Sequence, residues 1–206
     1  MLSSNPQAKR AAVACSAFTA AVILLNIYFR ISLGVCPAYE ALDSFEVEDF
    51  TGVWYELQRD VNFAPSTGEC VTATYLARDE GGVTVENNEM VDNERNYIQG
   101  YALASGFLPG LINVFFGGGI FGFGADYRVI DTDYTSYAII YSCEQFGPIG
   151  FNLSWLLVRD QIEESSADYT TMIDKVDPIY AEKIPNYDKA GRMRTTQQGT
   201  GCTYYY

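Results

Sequence analysis

The chain has 206 residues, enough for one domain with a substantial core, and its 26 acidic and 13 basic side chains give a formal net charge of −13. This acidity excludes nucleic acid as an expected partner and favours a soluble, extracellular or lumenal protein that binds an uncharged or cationic molecule. The sequence has no histidine, so the usual general base and the commonest metal ligand are absent. We expect no metal and no other cofactor.

The first 34 residues form a separate segment. Lys9 and Arg10 precede a mostly apolar run, 11–29, and small residues follow it. This order predicts a secretory signal peptide cut after Gly34, while the length of the run also suits a retained membrane anchor. A buried helix of a soluble protein is the third interpretation. In both export alternatives, residues 35–206 form the folded domain on the extracellular or lumenal side.

Four of the five cysteines lie in this folded domain, and Cys15 lies in the apolar run. An even number of cysteines in an exported domain predicts two disulfides, for which three pairings are possible. Their spacing matches no zinc motif. The four are Cys36, Cys70, Cys143 and Cys202.

Short apolar and β-branched segments separated by turn residues follow from residue 52 onward. Their even spacing predicts an antiparallel barrel or sandwich of eight strands. Alternation of polar and apolar residues is only moderate, as expected where both faces of a barrel wall meet apolar material. The predicted strands are 52–60, 71–79, 82–90, 96–104, 110–116, 125–133, 136–146 and 152–160.

The segment "VFFGGGIFGFG" (114–124) contains the glycine spacing of a dinucleotide-binding loop at Gly117, Gly119 and Gly122. Such a loop must open a helix, because the helix N-terminus holds the phosphates. Here a strand-like sequence follows, so we interpret the segment as a flexible connection between two strands. Its exposed apolar side chains indicate contact with a ligand, partner or membrane.

One helix is predicted after the strands, in "SSADYTTMIDKVDPIY". Tyr169, Met172, Ile173 and Val176 recur with helical spacing and form an apolar stripe that would pack on the outer wall of the sheet. Ser165 is the predicted N-cap.

Three short motifs occur in order along the chain, and a helix follows the last of them. They are Gly-x-Trp in "GVWYELQRD", the turn sequence "TDY", and an arginine that ends "LSWLLVRD". The residues are Gly52, Trp54, Thr132, Asp133, Tyr134 and Arg159. Through these motifs the chain from about Phe45 to Cys202 resembles the lipocalins, and among them apolipoprotein D and the bacterial lipocalins.

The resemblance implies an all-β fold: an eight-stranded antiparallel up-and-down barrel with one C-terminal helix on its wall, preceded here by the N-terminal hydrophobic helix. It implies that Arg159 lies over the Trp54 ring and seals the closed end of the barrel. It also implies the disulfides Cys36–Cys143 and Cys70–Cys202.

The resemblance further implies a ligand cavity whose wall includes Tyr75, Asn87, Tyr127 and Trp155. Two connections would form the rim of the open mouth, and their apolar residues would contact a membrane or lipoprotein surface or close over a lipid. These residues are Ile120, Phe121 and Phe123 in one connection and Phe146, Ile149 and Phe151 in the other. Asn152 begins a glycosylation sequon at the same rim.

The leading functional interpretation is non-covalent binding and transport or scavenging of a small lipophilic ligand: a fatty acid, sterol, retinoid-like lipid or pigment. The alternative is an anchored structural subunit of a membrane complex with the same fold. A lipid-modifying enzyme is less favoured, because the resemblance pairs all four cysteines of the domain. Glu56, Asp131 and Asp133 are also better suited to structural hydrogen bonds.

Overall fold

The computed structural model describes residues 32–33, 36, 38–61, 68–104, 110–116 and 125–206. Within this part of the chain, strands dominate, with one long helix near the C-terminus. In chain order the elements are β1 (Ser32–Leu33), α1 (Val47–Phe50), β2 (Gly52–Asp60), β3 (Glu69–Ala77), β4 (Val83–Val91), β5 (Glu94–Ala104), β6 (Leu111–Phe116), β7 (Ala125–Thr132), β8 (Tyr137–Phe146), β9 (Ile149–Val158), α2 (Ala167–Lys183), α3 (Lys189–Arg192) and β10 (Met193–Thr195).

Strands β2 to β9 form a closed antiparallel barrel. Each strand pairs with the next one along the chain, and β9 pairs with β2 to close the wall. The predicted up-and-down barrel of eight strands is thus confirmed. The short elements β1, α1, α3 and β10 were not predicted, because two to four residues carry too little periodicity to be recognised.

The barrel wall beneath the C-terminal helix, formed by β2, β7, β8 and β9, is buried on both faces. Inside the barrel lies one apolar cluster that includes Trp54, Ile140 and Leu157. Outside, beneath the C-terminal helix, lies a second cluster that includes Ile139 and Leu156. Because neighbouring residues of a strand point to opposite faces, these strands need apolar residues at nearly every position. This explains the moderate alternation in the sequence.

Helix α2 covers the outer cluster. The predicted stripe packs there, and Val176 is its most buried member. Tyr180, one turn further along the helix, is also buried in this cluster. Ser166 caps the helix, and its hydroxyl accepts a hydrogen bond from the Tyr169 amide at 3.2 Å. The expected cap at Ser165 was therefore wrong by one residue, since the helix begins only at Ala167.

The C-terminal segment 193–198 completes the barrel wall between β2 and β3. These two strands pair directly only over Gly52–Tyr55 of β2. Beyond that point, β10 pairs with the end of β2, and the Cys70 amide of β3 donates to the Gln197 carbonyl at 3.0 Å. We call the half of the barrel with the direct pairing the base and the other half the upper half. A segment distant in sequence therefore forms part of the upper wall.

Of the first 34 residues, the structure describes Ser32 and Leu33. Ser32 and Leu33 pair with Gly150 and Ile149 of β9. The predictions for residues 1–31 lie outside the described residues. Among the residues that the structure describes, none belongs to a helix long and apolar enough to cross a membrane.

Candidate functional site

The base of the barrel is sealed by Trp54 and Arg159. The Trp54 ring is fully buried, and its indole N–H donates to the Phe50 carbonyl at 2.9 Å. The Arg159 guanidinium carbon lies 3.7 Å from the centroid of that ring. The guanidinium also donates to the carbonyls of Val53, Thr51 and Tyr134, each at 2.9 Å. The structure thus brings together the pair that the resemblance implies.

Glycine at position 52 makes this approach possible. Its φ is +98°, a conformation that a residue with a side chain rarely adopts. A Cβ atom there would lie 3.2 Å from Nη1 of Arg159. Gly52 therefore allows both the sharp entry into β2 and the close contact with the arginine.

The "TDY" motif forms the turn between β7 and β8 beside Arg159. The Thr132 hydroxyl donates to the Tyr137 carbonyl at 2.6 Å, and Tyr134 adopts a φ of +63° that turns its carbonyl to Arg159. The Asp133 carboxylate accepts from the Ser136 amide at 2.7 Å and from Lys175 at 2.9 Å. Burial alone would raise the pKa of Asp133, but these hydrogen bonds hold it well below the usual range.

Above the base lies a cavity of about 280 Å³ inside the barrel. Its volume is near the lower end of the ~300–1,000 Å³ that small-molecule sites occupy. Apolar side chains from β3, β4, β5, β6 and β9 line much of it. They include Val71, Ala73, Val85, Ile98, Val114, Leu153 and Leu157. Burial of apolar ligand surface is the interaction that such a wall offers.

All four predicted ligand contacts line this cavity: Tyr75, Asn87, Tyr127 and Trp155. The hydroxyls of Tyr75 and Tyr127 are hydrogen-bonded at 3.1 Å, and the Tyr127 ring lies 5.6 Å from the Trp155 ring. Burial raises the pKa of Tyr75 to about 12 and that of Tyr127 well above the usual value. Both phenols are therefore neutral at physiological pH. Their role as ligand contacts stays a prediction.

The upper half of the cavity carries three charged residues that the sequence did not reveal as site residues. Glu56 and Arg59 of β2 and Glu89 of β4 line it together. The Arg59 guanidinium lies 3.3 Å from the Glu56 carboxylate and 3.5 Å from that of Glu89. In the described part of the chain, no group of three or more acidic, cysteine or histidine residues is arranged to hold a metal ion.

A bulge explains why Glu56 and Arg59 share a face. The register of β2 against β9 shifts between Glu56 and Gln58, so that Leu57 enters the outer cluster while Glu56 and Arg59 both line the cavity. If side chains alternated strictly along β2, Glu56 and Arg59 would point to opposite faces of the wall. The sequence offers one signal for this cluster. Glu89 lies two residues after the predicted contact Asn87, and residues two apart on a strand point to the same face.

Two disulfides tie the terminal segments to the barrel. Cys36 is bonded to Cys143 of β8, and Cys70 of β3 is bonded to Cys202. This is the pairing that the resemblance implies. The second disulfide holds the C-terminal segment at the upper wall between β2 and β3.

The predicted mouth residues are only partly described. Ile120, Phe121 and Phe123 lie outside the described residues. Phe146 ends β8 and Ile149 begins β9, so residues 147–148 alone form the connection, and Phe151 lies within β9. The connection, which the sequence predicts over "QFGPIGFN" (145–152), is therefore shorter than expected.

The Asn152 sequon also lies within β9 and not in a loop. Asn152 pairs with Cys143 across the sheet and is only 4% exposed. Asn152 thus lies in the sheet, three residues after the start of β9 at Ile149. Since a glycan needs an exposed attachment site, this burial argues against the predicted modification.

Comparisons with known proteins agree with this geometry. The family model of the lipocalin-like domain matches residues 45–179. Apolipoprotein D of Rattus norvegicus is 34% identical over 167 residues, which cover 77% of this chain and 84% of that protein. The outer membrane lipoprotein Blc of Vibrio cholerae is 28% identical over 142 residues, covering 67% of this chain and 78% of that protein.

A solved structure shows the same fold. Insecticyanin from the tobacco hornworm Manduca sexta matches with a TM-score of 0.70 at 19% sequence identity. The match covers 82% of this chain and 89% of that one.

Proposed function

Because the chain belongs to the lipocalin family, we propose that it binds a small hydrophobic ligand non-covalently in the barrel cavity and carries or scavenges it. The observation that supports this function is the cavity of about 280 Å³, which is lined by apolar side chains above a sealed base. Tyr75, Asn87, Tyr127 and Trp155 are the proposed ligand contacts. Binding of this kind requires no chemical step.

Trp155 allows binding to be measured directly. Trp54 is fully buried in the base, whereas Trp155 lines the cavity, and the chain has no third tryptophan. Retinol bound in the cavity should quench Trp155 emission and saturate at one ligand per chain. The variant Trp155→Phe should retain binding and lose most of the quenching.

A pair of matched variants tests whether the cavity is the binding site. Ala73 lines the cavity, so Ala73→Trp should fill it and abolish retinol binding. Thr84 lies on β4 between the inward-facing Val83 and Val85, so Thr84→Trp places the same ring on the outer face and should leave binding intact. Equal binding by both variants would contradict the proposed site.

The natural cargo is best identified on protein purified from its source without added lipid. Organic extraction followed by mass spectrometry should yield one stoichiometric lipid or pigment. An empty protein that also fails to quench with retinol would favour the alternative of an anchored structural subunit.

We also propose that the protein is exported. Two disulfides support this location, because they persist in oxidising compartments. Intact mass and N-terminal sequencing of the natural protein distinguish the two forms expected from the sequence. A start at residue 35 indicates a cleaved signal, and a start at Met1 indicates a retained anchor.

Contact of the barrel mouth with a lipid surface remains a proposal from the sequence alone. The double variant Phe121→Ser plus Phe123→Ser should weaken binding to phosphatidylcholine liposomes or to the ligand. If both affinities are unchanged, the proposed role of these residues is wrong.

A further inference from the structure

The three charges in the upper cavity form one connected cluster. Arg59 lies between Glu56 and Glu89, and its Nη2 also donates to the Gly68 carbonyl at 2.6 Å. Thr196 of the C-terminal segment donates to the Glu56 carboxylate at 2.6 Å. Asn96 donates to the Glu89 carboxylate at 2.8 Å. We call Glu56, Arg59 and Glu89 the charged cluster.

Carboxylates outnumber cations in this cluster. Two glutamates share one guanidinium, and the adjacent Glu69 is balanced by Arg194 at 2.8 Å. The cluster with both glutamates ionised therefore carries one excess negative charge. This agrees in sign with the net charge of −13 of the whole chain.

Burial makes that excess charge energetically costly. The side chain of Glu56 is 6% exposed and that of Glu89 is 17% exposed. Burial raises the pKa of Glu56, and the nearby Arg59 opposes that effect. A cation placed in the cavity beside the two carboxylates would neutralise the cluster and favour the ionised form of Glu56.

The rest of the cavity has a different chemistry. Toward the base it is lined by Tyr75, Val85 and Val114 rather than by charges. A ligand with an apolar body and a polar head would place its body against these side chains and its head against the charged cluster. A carboxylate head would meet two like charges in a partly dry site, while an ammonium head could donate three hydrogen bonds.

We propose that the cavity selects amphipathic ligands with a cationic amine head, which the Glu56 and Glu89 carboxylates recognise, and discriminates against ligands of the same length that end in a carboxylate. This inference rests on the proposed function, because it concerns the same cavity. It removes fatty acids from the ligand classes expected from the sequence and adds amphipathic amines to them.

The test compares three probes with identical chains: dodecylamine, dodecan-1-ol and dodecanoic acid. Calorimetric titration of the full chain at pH 7 should give an affinity for the amine about 100-fold higher than for the acid, with the alcohol between them. An acid that binds as tightly as the amine would overturn the inference. If all three bind equally, the inference fails and the proposed function stands. If neither these probes nor retinol binds, the proposed function itself fails.

Variants assign the selectivity to the cluster. Glu89→Gln should reduce the amine-to-acid affinity ratio by about 10-fold, and Glu56→Gln provides the same test at the second carboxylate. Glu86→Gln is the matched control, because Glu86 lies on the same strand and contacts Gln99 instead of the cluster. A ratio that Glu86→Gln lowers as much as the other two variants would show that general charge, and not the cluster, determines selectivity.

Discussion

The base and the upper half of the barrel differ in how they use polar groups. In the base, the half-buried guanidinium of Arg159 is matched by neutral backbone carbonyls and an aromatic face. In the upper half, the cation Arg59 is shared by the carboxylates of Glu56 and Glu89. The wall differs too, since β2 and β3 pair directly in the base but are joined through the C-terminal segment above it.

We interpret this difference as a division of roles, in which the base stabilises the fold and the upper half recognises the proposed ligand. A guanidinium that fills its hydrogen-bonding capacity with backbone carbonyls stabilises one conformation and offers little to a ligand. A cluster with an excess charge beside a cavity is energetically unfavourable by itself, because the charge is partly desolvated. Binding of a group of opposite charge would stabilise it. We therefore expect changes in the base to lower stability, and changes in the upper half to alter binding.

The largest effect on stability is expected from Arg159→Ala. The variant loses the contact with Trp54 and leaves the carbonyls of Thr51, Val53 and Tyr134 without this donor. We expect the free energy of unfolding to fall by about 3–5 kcal/mol, measured by urea denaturation. Arg78→Ala is the control, because Arg78 stacks on the exposed Tyr101, and it should cost less than about 1 kcal/mol. Similar losses in both variants would contradict the special role of the base.

The two disulfides should have similar effects on stability and different effects on binding. They close loops of comparable length, 107 and 132 residues, so Cys36→Ser/Cys143→Ser and Cys70→Ser/Cys202→Ser should each cost about 2–4 kcal/mol. Only the second pair holds the C-terminal segment in the upper wall. Stopped-flow measurement should therefore show faster retinol release for Cys70→Ser/Cys202→Ser alone. Equal release rates would mean that this segment does not limit ligand exit.

Acid should weaken the turn beside the base through Asp133. The native pKa of this carboxyl is lowered, so its stabilising contribution is present above the unfolded pKa of about 4 and is lost as the pH falls below it. Urea denaturation between pH 6 and pH 3 should show a decrease in stability that is smaller in Asp133→Asn. Identical pH profiles for the two proteins would rule out this contribution.

The smallest effect is expected at the tyrosine pair of the cavity. Tyr75→Phe and Tyr127→Phe each break the 3.1 Å hydrogen bond between the hydroxyls and should each cost about 1 kcal/mol. The double variant removes both polar groups and should cost no more than either single variant. Additive losses would show that each hydroxyl has another important partner.

Much of the fold could be predicted from the sequence. The eight strand segments, the apolar stripe of α2 and the three motifs around Trp54 and Arg159 are local patterns, and each carries its own signal. The cavity contacts Tyr75, Asn87, Tyr127 and Trp155 followed from the resemblance combined with the face that each residue takes on its strand. These predictions needed no knowledge of long-range contacts.

The remaining features depend on contacts between distant segments. The bulge at Leu57 turns Arg59 into the cavity beside Glu56, and strict alternation could not foresee it. The burial of Asn152 depends on its pairing within β9, which the sequon does not encode. The charged cluster joins strands β2 and β4, and its members lie 33 residues apart at the extremes, Glu56 and Glu89.

The sequence by itself therefore determined the strand order, the sealed base and the acidic character of the protein, because periodicity, motif spacing and net charge are properties of the chain. Only the tertiary structure decided how the upper half is built. The insertion of residues 193–198 between β2 and β3 and the meeting of two carboxylates with one guanidinium arise when the barrel closes. Closure sets the distances between these charges, and the proposed preference for a cationic ligand depends on those distances.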